Sequence, residues 1–335
     1  MIKLGIIGTN WITTAFVQAA QHTKEYQLTA VYSRTLAKAT EFSQEYTPQP
    51  SLYTDLTTFF ASEDFDTVYI ASPNSLHFSQ IKQALLAGKN VIVEKPACVN
   101  PSEFAEIRQI LQEHSELHFF EAARHLHEEN FKIVQEEVQN IGQIQGATLT
   151  YAQFSSRYLD YLAGKEPNIF TLKYAGGALQ DLGVYLVYEA LSWFGMPEEV
   201  SYIPLKLANG IDGQGLAILK YKDYNVTLNC SKIYQSNQDS EIYGSDKTIL
   251  IEHAGELKAI KLISNQQPNI EIISQTTADH DLMAAEASAF SRIINHPQNK
   301  NYQKLEEEWL NLAQNVNQVL YDLRQSADIN FPSEK

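Results

Sequence analysis

Asn90-Val91-Ile92-Val93-Glu94-Lys95-Pro96 is the stretch on which the reading of this chain turns. Val91, Ile92 and Val93 are consecutive apolar β-formers and read as a short strand buried on both faces. A charged pair, Glu94-Lys95, follows directly and is fixed by Pro96. In an open parallel α/β sheet, ligands sit outside the carboxyl ends of the strands, so Lys95 is expected to face a ligand crevice. Proline also keeps the preceding residue out of the helical region, which limits the directions Lys95 can take. Taken alone, the segment fits a solvated lysine at a strand end equally well.

The surrounding sequence decides for a parallel sheet. Ile2 to Ile7 is a strand, followed by the turn Gly8-Thr9-Asn10-Trp11-Ile12-Thr13 and a helical stretch through Ala20. A dinucleotide fingerprint has glycines at the first, third and sixth positions of such a turn. Here only Gly8 is glycine, with Asn10 at the third, close-approach position and Thr13 at the sixth. Asn tolerates unusual backbone angles but adds bulk where a pyrophosphate would approach. Trp11 is expected to pack at this turn. Further strands are expected at Tyr26 to Ser33, Thr67 to Ala71 and Leu117 to Phe120. Helices are expected at Leu36 to Tyr46, Ser75 to Ala87 and Pro101 to His114. Alternation at these lengths indicates βαβ units in a doubly wound sheet.

From about residue 144 the rhythm changes. Apolar runs at Ile144 to Phe154, Val200 to Lys206, Gly215 to Lys222, Asn225 to Lys232, Lys247 to Glu252, Leu257 to Ile263 and Asn269 to Ser274 follow one another with hairpin-like spacing. They predict a largely antiparallel sheet. A helix from about Ala178 to Phe194 interrupts it, and helices at about 280–294 and 303–325 follow, packing on this domain or back on the first. The expected fold class is therefore α/β: an N-terminal doubly wound parallel sheet and a C-terminal α+β domain on an open, mostly antiparallel sheet.

Composition narrows the function. A chain of 335 residues is long enough for two full cores. A net charge of −15 argues against electrostatic binding of nucleic acid. No apolar run is long enough to span a membrane, and the opening apolar block is already used as a strand. Cys98 and Cys230 offer neither a disulfide framework nor a zinc ligand set. His125 and His127 stand two apart and do not share a helical face, so packing or surface roles are expected and no metal. A cytoplasmic location is the expectation.

Four segments, in order, resemble the glucose–fructose oxidoreductase/inositol dehydrogenase family (Gfo/Idh/MocA). They are the Gly8 turn, Ala71-Ser72-Pro73-Asn74-Ser75-Leu76-His77, Glu94-Lys95-Pro96, and Gly176-Gly177-Ala178-Leu179-Gln180-Asp181-Leu182-Gly183-Val184-Tyr185. Glu121-Ala122-Ala123-Arg124 resembles the dihydrodiol dehydrogenase branch. The resemblance runs from Ile2 to about Phe331. It implies an NAD(P)-binding Rossmann domain over residues 1–122 and a substrate-binding and oligomerisation domain over 123–335, assembled as a homodimer or homotetramer. It further implies hydride transfer between nicotinamide and a secondary alcohol or carbonyl of a sugar, polyol or diol. Gly8, Thr9, Asn10, Trp11, Ile12, Ser72, Pro73, Asn74, His77, Glu94 and Lys95 would hold the cofactor, and Lys95, Asp181 and Tyr185 would be catalytic.

Physical chemistry fits those roles. Alcohol oxidation requires removal of the hydroxyl proton as hydride leaves. A tyrosine can do this if its ordinary pKa of about 10 is lowered by a nearby ammonium. Asp181 and Tyr185 are four apart on the predicted helix and share a face; Asp181 would orient Lys95 or bind a substrate hydroxyl. Their plainer alternative is a dipole-favoured carboxylate and a core tyrosine. For Asn74 it is a helix cap. Past the second strand stand Ser33 and Arg34, then Lys38 one helical turn on, with no Asp or Glu to take a ribose 2′-hydroxyl. Arg34 can pair with a 2′-phosphate, so NADP is preferred over NAD. A second reading, a nucleotide-binding sensor or assembly protein of the same fold without turnover, draws its support from Asn10 and Thr13.

Overall fold

A computed structural model describes residues 1–267, 269–276, 281 and 283–334. The chain divides into two compact units, Met1–Arg124 with Met283–Ala313, and His125–Leu282 with Gln314–Lys335.

The first unit contains β1 (Ile2–Ile7), α1 (Trp11–His22), β2 (Tyr26–Tyr32), α2 (Leu36–Ser43), β3 (Ser51–Tyr53), α3 (Leu56–Ala61), β4 (Thr67–Ile70), α4 (His77–Leu86), β5 (Asn90–Glu94), α5 (Pro101–Glu113) and β6 (Phe119–Ala122). The six strands are parallel in the order β3-β2-β1-β4-β5-β6. The winding reverses between β1 and β4, the point where such sheets open a crevice. Val91, Ile92 and Val93 are fully buried, as a strand with helices on both faces requires. Phe16 of α1 stacks on Tyr69 of β4 with ring centroids 4.0 Å apart.

Edge strand β3 and helix α3 carry too little pattern to be read from sequence. β3 is three residues long and pairs only with Ala30–Tyr32. α3 is six residues long and rests on the cap from Asp55 to the Thr58 amide, 2.9 Å.

The second unit begins with α6 (Glu129–Val138), β7 (Ile144–Ala152) and α7 (Ser156–Leu162). The expected helix over 178–194 is a π-turn at Leu179–Gly183 running into α8 (Val184–Phe194). Then follow β8 (Glu199–Lys206), β9 (Asp212–Lys220), β10 (Asn225–Ser231), β11 (Ser240–Gly244), β12 (Lys247–Glu252), β13 (Ala259–Ser264) and β14 (Ile270–Gln275). The eight strands run β14-β13-β12-β11-β7-β10-β9-β8, antiparallel except for the β7–β10 pair. β11 escapes sequence reading because small residues, Ser240 and Gly244, occupy buried positions on either side of Ile242.

The chain closes with α9 (Ala284–Asn295) and α10 (Lys300–Ser326). α9 packs in the first unit: Phe290 stacks on Phe120 at 4.6 Å, and the Tyr26 hydroxyl donates to the Ala287 carbonyl at 2.9 Å. In the same unit His118 meets the Glu306 carboxylate at 2.9 Å. In the second unit Arg324, 1% exposed, pairs with Glu334 at 2.7 Å and lies over the Phe331 ring. No helix among the described residues is long and apolar enough to cross a membrane.

Candidate active site

In the first unit, the residues singled out from sequence gather along one edge, the carboxyl ends of β1, β2, β4 and β5. Gly8 leaves β1 with φ +105°, and a Cβ there would stand 2.7 Å from the Ala71 carbonyl oxygen. Only glycine fits both the angle and the approach. Asn10 is the N-cap of α1. Its Oδ1 accepts from the Ile12 and Thr13 amides at 3.1 and 3.2 Å, and its Nδ2 donates to the Ala71 carbonyl at 3.1 Å. The amide is thus turned onto the helix start and the end of β4 rather than left as loose bulk. Thr13 is fully buried beneath it. One expectation is corrected here. Trp11 does not pack at the turn: it is 73% exposed, because it lies on the Gln18 stripe of α1, opposite Phe16 and Ala20. His77 is withdrawn from the surface. It is fully buried, with Nδ1 2.9 Å from the Pro96 carbonyl and Nε2 2.8 Å from that of Ser72, and burial lowers its pKa. The imidazole ties the loop after β4 to the segment after Lys95, so it is a positioning residue.

Around that staple, Ser72 donates to Gln80 at 2.7 Å and Asn74 opens a short 3₁₀ turn after Pro73. Glu94 accepts the Tyr69 hydroxyl at 2.5 Å, and burial raises its carboxyl pKa against the opposing pull of Lys95. Lys95 is half-buried. At the end of β2, Ser33 is buried, with its amide bonded to the Tyr53 carbonyl at 3.1 Å, whereas Arg34 and Lys38 are exposed. A glycine cradle, a helix start and a strand end without carboxylate fit a dinucleotide.

In the second unit, the Gly-Gly of residues 176–177 is forced by what surrounds it. A Cβ on Gly176 would lie 2.6 Å from the Ile169 carbonyl, and Gly177, at φ +108°, presses against the Asp212 carboxylate. Asp212 then caps the following turn from another element. It accepts the Leu179 amide and the Tyr202 hydroxyl, each at 2.8 Å. Burial pushes its pKa up to about 6. Gly183 lets the π-turn settle on β10, since a Cβ would come 3.3 Å from the Cys230 sulfur. π-turns inside helices recur at functional sites, and this one carries Asp181.

Asp181 forms an ion pair with Lys232, a lysine 2% exposed just past β10 whose ammonium also lies over the Phe170 ring. Sequence reading did not assign Lys232, because a lysine ending a strand gives no sign of pairing across a fold. Tyr185 is buried, one helical turn on, its ring 4.8 Å from His125 and 5.3 Å from Tyr151. His125 also packs on Phe131 and Tyr188. An acid, an ammonium and a phenol are therefore assembled at one end of α8 within this unit.

Family models match both regions: residues 2–121 match the oxidoreductase family with an NAD-binding Rossmann fold, and residues 133–250 the GFO/IDH/MocA C-terminal domain. The chain belongs to the GFO/IDH/MocA family. It is an NAD(P)-dependent oxidoreductase, and the sensor reading drawn from Asn10 and Thr13 falls away. Among relatives, scyllo-inositol 2-dehydrogenase (NADP(+)) IolU of Bacillus subtilis is 34% identical over the full length of both chains. The uncharacterized oxidoreductase YgjR of Escherichia coli is 33% identical over 100% of this chain and 99% of that one. The fold matches KijD10, a 3-ketoreductase from Actinomadura kijaniata solved with NADP and TDP-benzene, with a TM-score of 0.83, 19% identity and 97% of each chain covered.

The Asp212 cap has a measurable signature. With a pKa of about 6 when folded against 3.8 ordinarily, Asp212 keeps its proton in the folded state over a range where the unfolded chain has lost it. Its contribution to stability therefore falls as pH rises from about 4 to about 6, by on the order of 2–3 kcal/mol. Urea midpoints across that range should show this fall in the native protein. The fall should be missing in Asp212→Asn, which keeps an oxygen for the Leu179 amide. Parallel pH profiles of the two proteins would contradict the assignment.

Proposed function

We propose that this protein is an NADP-preferring dehydrogenase or reductase of a secondary alcohol, or its ketone, on a sugar, polyol or diol. The observation that carries the reading is the edge of the first unit. There the Gly8 cradle, the Ser72–Asn74 loop, Glu94-Lys95 and the Ser33-Arg34 pair share the carboxyl ends of the parallel strands. The name of the full-length relative IolU, an NADP(+)-dependent inositol dehydrogenase, supports both cofactor and substrate class.

Gly8, Thr9, Asn10 and Ile12 would take the pyrophosphate side, and Ser33, Arg34 and Lys38 the 2′-phosphate. Ser72, Pro73, Asn74 and Lys95 would face the nicotinamide half, with Glu94 behind them. NADP, when bound, supplies the hydride acceptor or donor. Tyr185 takes or returns the hydroxyl proton through its phenol oxygen. Lys95 stabilises negative charge developing on the reacting oxygen. Asp181, held by Lys232, binds a neighbouring hydroxyl in a fixed direction. The protein is taken to be a cytoplasmic homo-oligomer. Cys98 and Cys230 are both buried and neither is disulfide-bonded, which accords with a reducing compartment. On the outer face of β8 and β9, Ile203 is 62% exposed, Leu205 49% and Leu216 38%, with Ile203 and Leu216 direct cross-strand partners. These residues support a sheet-to-sheet interface between copies.

Three outcomes are expected. In a screen of sugars, inositols and diols followed by nicotinamide absorbance, Lys95→Ala and Tyr185→Phe should each lower turnover by about two to four orders of magnitude. Near-native turnover in Tyr185→Phe would remove its acid–base role. In equilibrium titrations, Arg34→Ala should weaken NADP far more than NAD, and equal losses would refute the 2′-phosphate contact. Light scattering should find a multiple of the 37.9 kDa chain that Ile203→Asp reduces; a monomeric native protein would exclude the interface.

A further inference from the structure

A polar cavity of about 200 Å³ opens at the end of β7 in the second unit. That is smaller than the roughly 300–1,000 Å³ of pockets enclosing a whole drug-sized ligand, so it suits a portion of one. We infer that this cavity recognises the non-reacting hydroxyls of an uncharged polyhydroxylated substrate and selects against phosphorylated ones. The inference rests on the reading of Tyr185 as the proton-transfer residue, because Tyr151 is what connects the two. Tyr151 lines the cavity, and its ring meets Tyr185 edge-on at 5.3 Å and His253 at 5.3 Å.

The lining chemistry matches hydroxyl groups. Gln153, Asn237 and Gln238 are exposed amides lining the cavity, and each offers two donors and an acceptor. His253 sits in the left-handed region at φ +63°, uncommon for a residue with a side chain. Its carbonyl accepts the Leu257 amide at 2.6 Å, which fixes the turn that carries the ring. Sparsely populated backbone of this kind clusters at ligand-binding positions.

Charge supplies the discrimination. Asp239 and Glu252 both line the cavity and share one ammonium, Lys261, at 3.2 and 3.3 Å. Lys258, the lysine of the lining, is matched by Glu256 at 2.9 Å. Among the described residues, both ammonium groups are thus matched, and the carboxylates of these pairs exceed them by one. A phosphate entering here would exchange water for carboxylates of its own sign, whereas a neutral hydroxyl can donate to the carboxylates and accept from the amides.

The test compares glucose and myo-inositol with their monophosphates. The native protein should turn over the neutral compound at least tenfold better in kcat/KM. Gln153→Ala and Gln238→Ala, at exposed positions, should raise KM about fivefold or more with kcat within about twofold. Asp239→Asn with Glu252→Gln, which leaves Lys261 unmatched, should narrow the preference against phosphate. Equal use of phosphate esters, or unchanged KM in both amide variants, overturns the inference. Calorimetric titration of myo-inositol separates this from the catalytic reading. Lys95→Ala should keep polyol binding without turnover, and the double amide variant should lose binding. If the native protein turns nothing over, the functional reading fails, and the same titration still decides: binding lost with the amides upholds the cavity, and no binding refutes it.

Discussion

At the switch point of the parallel sheet, residue 8 has room for a hydrogen and nothing larger. The chain must turn from β1 into α1 while passing within contact of the Ala71 carbonyl, and a Cβ would stand 2.7 Å from that oxygen. The cofactor edge depends on this approach. It lets Asn10 reach both the first amides of α1 and the same carbonyl, so the ends of β1 and β4 are stitched by one side chain. The departure from the three-glycine fingerprint is therefore a substitution of means. Where a glycine would leave the helix amides to water, asparagine caps them, at a typical gain of roughly a few tenths of a kcal/mol over glycine.

The second unit solves a similar problem with a partner remote in sequence. The helix start after Gly177 is capped by Asp212, more than thirty residues on. That carboxylate must be buried to reach it, and its raised pKa is the cost of the arrangement. Tyr202 completes the cap, so β8 and β9 together fix the turn on which Asp181 stands. The Asp181–Lys232 pair obeys the same logic. A lysine 2% exposed is tolerated because a carboxylate and an aromatic face meet its ammonium. Removing the carboxylate would take this partner from a buried ammonium, which makes the pair a rigid support for whatever Asp181 holds.

His77 shows how a motif residue can serve a site by tying its loops together. Both ring nitrogens face carbonyls, of Ser72 and Pro96, from the loops after β4 and β5. A neutral imidazole donates to only one of them, which opposes the lowering of its pKa by burial. Either way the ring fixes the spacing between the Ser72 loop and Lys95.

The sequence by itself determined the parallel sheet of the first unit apart from its three-residue edge strand β3, because the other strands are apolar-rich runs flanked by helices of regular period. It also determined the family-bearing segments, whose glycines and charges stand at fixed intervals. It determined most of the antiparallel strands, where alternation is strong, but not β11, whose buried positions are held by serine and glycine. Tertiary structure alone decided what the polar side chains do. Asn10 became a cap, Trp11 stayed in solvent, His77 was withdrawn into the core, and Lys232 and Asp212 were brought to the α8 region from strands far along the chain. Hydrophobic period is a local property that survives in one dimension. The partner of a charge or an amide is set by which strands become neighbours, and no spacing in the sequence records that.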